Sequence, residues 1–174
     1  MILNNAFVQQ LDDYIKINYI GILQGADKGK TDEKQNLCAD ISKENSLNPN
    51  QSVDLKHLLD EVGDSFHEKL FELIDSKGMT DVEVYKKAGI DRRLFSKIRS
   101  NPAYHPRKNT VLALAIALHL DINETKDLLT RAEYAFSPSN KGDLIVKYFI
   151  EHQVYDLIAI NFALEEYGQT IIEG

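Results

Sequence analysis

The run TVLALAIALHL, residues 110–120, restricts the fold of this chain more than any other stretch. Apolar residues fill nearly every position, so a helix formed here has no side suited to water. The run is too short to span a bilayer and is interrupted by His119. It therefore predicts a central core helix that other elements must surround. The chain has the material to do so, with 43% hydrophobic residues in 174.

The surrounding segments carry helical spacing. Phe7, Leu11 and Ile15 stand at i, i+4 and i+8 and predict an N-terminal amphipathic helix within residues 1–24. Residues 25–52, rich in Gly, Asp, Lys, Asn and Ser without a period, read as a polar linker. Helical spacing resumes through Leu55, Leu58, Leu59 and Val62, opening a domain over residues 53–174. Phe66, Leu70, Leu73 and Ile74 form one helical face, and Gly78 is placed to end that helix. Thr80 to Glu83, TDVE, is a capping box that opens a short helix ended by Gly89. Asp91 suits the N-cap of the next helix, with Leu94, Phe95 and Ile98 inward. Asn101, Pro102 and Pro106 predict a loop. Asn123 is expected to cap a helix reaching Tyr134, and SPSNKG breaks the chain at 137–142. Helices are expected over Asp143–His152 and Tyr155–Tyr167. No alternating strand pattern occurs, so the expected class is all-α.

Charge is unevenly distributed. The stretch DRRLFSKIRSNPAYHPRK, residues 91–108, sits in an acidic chain. Between Lys86 and Lys108 eight basic residues face one acid, a net of +7 against −7 for the whole chain, which leaves −14 for the remainder. A basic patch on an acidic body is the electrostatic footprint of a nucleic-acid face. It equally suits an acidic protein partner or the acidic remainder of the same chain.

Residues Gly78–Leu129 resemble the helix-turn-helix domain of the Cro and lambda-repressor (XRE-like) family. The residues that carry the likeness are Gly78, Thr80, Gly89, Ser96 with Ile98, Pro106, the Ala113–Ala115–Ala117 run and Leu128–Leu129. The resemblance implies a five-helix domain, extended here by two C-terminal helices and preceded by a separate N-terminal helix on the polar linker. From about Ser65 to Ile172 the chain also resembles a bacterial module that carries this domain with two trailing helices.

The resemblance further implies double-stranded DNA as partner, with the third helix of the domain in the major groove. Its base-reading residues would be Arg92, Arg93, Ser96 and Lys97. Phosphate contacts would come from Thr80, Lys87, Arg99, Tyr104, Arg107 and Lys108, with His105 beside them. The implied role is transcriptional regulation in the cytoplasm, with a homodimer reading two half-sites as the arrangement the resemblance implies. The alternative is a protein-interaction adaptor that uses the same fold without DNA. Three departures bear on the choice: Asp81 stands where the family has Gln, Tyr85 and Ala88 exchange sizes, and Arg99 replaces an acid.

Other chemistry finds little support. His57, His67, His105, His119 and His152 have no metal spacing. Cys38 is a lone thiol in the linker, and GADKGK lacks the context of a phosphate loop. Asp12–Asp13 and Glu165–Glu166 are adjacent pairs that diverge on a helix. The N-terminus has no secretory pattern. No catalytic residue, cofactor, metal or membrane association is expected. The tail aromatics, from Tyr134 to Tyr167, read as core or as a dimer face.

Overall fold

A computed structural model describes residues 5–20 and 65–173. The polar linker, Cys38, His57 and the apolar stripe at Val53–Val62 lie outside the described residues. Among the described residues there are eight helices and no strand: α1 Asn5–Asn18, α2 Phe66–Ser76, α3 Asp81–Lys87, α4 Arg92–Ser100, α5 Lys108–Ala117, α6 Ile122–Arg131, α7 Lys141–Glu151 and α8 Leu157–Glu166. None of them is long and apolar enough to cross a membrane.

Helix α5 occupies the centre, as its composition demands. Every residue from Thr110 to Ala117 is buried. Helices α3, α6 and α8 pack against it, while α2 covers α6 and α7 joins α6 to α8. The helix stops where His119 turns into the left-handed region at φ 52°. The His119 and Leu120 amides then return to the Ile116 and Ala115 carbonyls at 3.1 and 3.0 Å, closing the helix end. His119 thus ends the helix through its backbone. Its ring stacks flat on Tyr155, 4.8 Å between centroids.

The helix starts are chemically explicit. Thr80 and Glu83 form the predicted capping box. Ser65 and Glu68 form a second one at the start of α2. Asp91 caps α4, its carboxylate accepting from the Arg93 amide at 2.7 Å. The start of α6 corrects the sequence expectation. Asp121, not Asn123, is the cap, accepting from the amides of Asn123 and Glu124 at 2.7 and 2.8 Å. A carboxylate two residues earlier reaches both free amides, and Glu124 answers it by accepting from the Asp121 amide at 2.9 Å. The same helix ends at Arg131 rather than Tyr134, because Glu133 adopts φ 59°.

The N-terminal helix is a further correction, since it is not separate. All described helices belong to one compact unit, and α1 packs on α7. Leu11 and Ile15 are buried, and the Phe7 ring meets Tyr148 and Phe149 edge-on at 5.2 and 5.1 Å. Tyr14 donates its hydroxyl to Glu151 at 3.1 Å, and Tyr167 donates to Asp12. The reason is the surplus of apolar residues on α7. Leu144, Ile145, Val146, Tyr148, Phe149 and Ile150 are all buried, which needs cover on more than one side.

Candidate nucleic-acid interface

Helix α4 presents the basic stretch. Phe95 and Ile98 anchor it in the core, and Leu94 is half-buried. The helical period then turns Arg92, Arg93, Ser96 and Lys97 outward, all exposed. Asp91 spends its carboxylate on the Arg93 backbone amide, so it does not compete for that guanidinium. Arg92 and Arg93 have no ion-pair partner among the described residues. The Lys97 ammonium lies 4.3 Å above the Tyr104 ring, which positions the cation while leaving it charged. Tyr104 is half-buried and acts as this platform.

The phosphate candidates divide. Arg107 is exposed at the start of α5, and its side chain makes no capping bond there. Lys87 is exposed, but it lines a different groove, with His119, Tyr155, Asp156 and Leu157. In that groove burial, then Lys87 and Lys77, pushes the His119 imidazole down. Thr80 gives its hydroxyl to Glu83 at 2.8 Å, and its amide donates to the same carboxylate. Those two bonds hold the Glu83 carboxyl below the usual carboxylate range. The Thr80 amide and hydroxyl are therefore already committed to a carboxylate of the chain itself.

Arg99 and Lys108 are both committed internally. Arg99 donates to Asp81 at 2.9 Å, and its guanidinium lies 4.5 Å over Phe71. The two departures at positions 81 and 99 thus answer each other as one ion pair. Lys108 bonds the Asp143 carboxylate at 2.5 Å and the Ala135 carbonyl at 2.7 Å. Asp143 also accepts from the Ser137 amide at 2.7 Å. His105 sits beside Tyr134, ring centroids 5.2 Å apart, with Nε2 3.8 Å from Glu133.

Between α3 and α4 runs an open groove of about 510 Å³. Asp81, Val82 and Tyr85 line one side; Arg92, Phe95, Ser96, Arg99 and Ser100 line the other. Sequence reading did not single out Val82, which is 47% exposed at the lip of this groove. Its signal was only its phase, pointing opposite the buried Val84. Among the described residues no group of three or more His, Cys, Asp or Glu could hold a metal ion. No protein-family model, curated protein or solved structure matches the chain.

Proposed function

We propose that the chain is a non-catalytic double-stranded DNA-binding protein acting in transcription regulation, with α2–α6 as a lambda-repressor-like helix-turn-helix domain and α4 as its recognition helix. One observation carries the reading: Arg92, Arg93, Ser96 and Lys97 stand exposed together on the first two turns of one helix, backed by Phe95 and Ile98. Arginine at the start of such a helix suits bidentate contact with guanine O6 and N7. Lys87 and Arg107 are the exposed cations that remain for phosphates. Arg99 and Lys108, held by Asp81 and Asp143, leave that set.

Fluorescence anisotropy of the full chain with a labelled random-sequence duplex, across a salt titration, tests this. The expected log–log slope corresponds to on the order of three to five phosphate contacts. Arg92→Ala and Arg93→Ala should relax sequence preference, while Arg107→Ala should weaken all duplexes alike. A folded protein that binds no duplex at low salt rules the reading out.

A protein-interaction adaptor remains the second reading, favoured by one observation. On α8, Ile158 and Phe162 are 82% and 56% exposed, four residues apart on one face. That apolar face suits a partner protein or a second copy of the chain.

A further inference from the structure

We infer that Val82 is a specificity-determining residue: it forms the apolar wall against which the C5-methyl of a thymine packs, beside the base read by Arg92. The inference rests on the DNA reading above and names what one part of that site recognises.

Val82 lies in the first turn of α3, a poor place for an exposed β-branched residue on helix propensity and hydration alike. It shares its groove with Arg92 and Ser96, so a base edge that enters between α3 and α4 has Val82 on one side and those residues on the other. Tyr85 and Phe95 continue the apolar surface behind it. The Asp81–Arg99 pair lines the same groove, and its charges answer each other. Arg99 is committed to Asp81 and Glu83 to Thr80, which leaves, among the described residues, Arg92 as the free cation of this groove and Val82 as its exposed apolar side chain. Among the groups that base pairs present in the major groove, the thymine methyl is the apolar one. The Ser96 hydroxyl can donate or accept, so it adapts to either partner and leaves the choice to Val82 and Arg92.

The test uses the full chain and a duplex selected by it from a random library. Each thymine is replaced in turn by deoxyuridine, which removes the methyl and nothing else. At one position the replacement should weaken wild-type binding about fourfold, equivalent to one buried methylene at about 0.8 kcal/mol. Val82→Ala should bind the thymine and uracil duplexes equally at that position, with its circular dichroism spectrum unchanged. Val82→Ser, which removes both methyls and suits a first-turn position, gives the same comparison should the alanine variant fail to fold. Uniform tolerance of uracil, or full discrimination retained by Val82→Ala, overturns the assignment while leaving DNA binding intact. Failure to enrich any duplex overturns the DNA reading and this inference together.

Discussion

Replacing Lys108 by alanine separates a structural cation from a DNA contact. The Asp143 side chain is 6% exposed and that of Lys108 24%. Without Lys108 the carboxylate keeps only the Ser137 amide as a donor from outside its own helix, and the Ala135 carbonyl loses its donor. Removing one partner of a fully buried ion pair costs about 3–5 kcal/mol. Partial access of water at Lys108 lowers this to about 2–3 kcal/mol, since a carboxylate that can draw in water is less stranded. Asp143→Asn should cost less, about 1–2 kcal/mol, because the amide oxygen still accepts from Ser137 and the ammonium can reach solvent. The double variant Lys108→Ala with Asp143→Asn should lose less than the two single changes together, by about 1–2 kcal/mol. Urea unfolding followed by circular dichroism reads these differences, with an unchanged m-value as the two-state check. The reasoning fails if Lys108→Ala loses under about 0.5 kcal/mol, the range of an ordinary surface change, while lowering the DNA salt slope by about one contact.

Further outcomes follow from the same geometry. Leu11→Ala should destabilise the whole chain by about 3 kcal/mol in urea, as a fully buried leucine does; a change confined to the signal of α1 would mean that α1 is an appendage after all. Gln153 is exposed at φ 56°, so Gln153→Gly should raise stability by about 0.5–1 kcal/mol, and a loss on thermal melting would contradict the strain argument. The His119 pKa is depressed in the fold, so the unfolded chain takes up that proton first. Its contribution is therefore complete above the ordinary value of 6.5 and falls as pH descends from there toward the folded-state value. His119→Asn, which tolerates a positive φ, should flatten that part of the stability–pH curve, and an unaltered curve would assign the titration elsewhere.

The helices were legible where local rules decide them. The buried phases of α2, α4 and α5, the Thr80–Glu83 box and the Gly78 and Gly89 ends all follow from spacing and backbone chemistry within a few residues. The end of α6, set by Glu133 at positive φ, carries no such mark, because the surrounding packing selects the conformation. The candidate site was legible as charge but not as pairing. Nothing near Lys108 in sequence points to Asp143, 35 residues on, or near Arg99 to Asp81, 18 residues back. The placement of α1 was hidden for the same reason: its stripe says that it needs a partner, while the partner is α7, far along the chain.

That last pairing sets an order of events during synthesis. Tyr14 and Glu151 are 137 residues apart, and Asp12 and Tyr167 are 155 apart. At ordinary translation rates α1 waits on the order of ten seconds before its docking surface leaves the ribosome. Through that interval Leu11 and Ile15 remain solvated while α2–α6 can already close around α5. Folding should therefore finish with a long-range closure, slow relative to the local helices and sensitive to changes on α1 mainly through the unfolding rate.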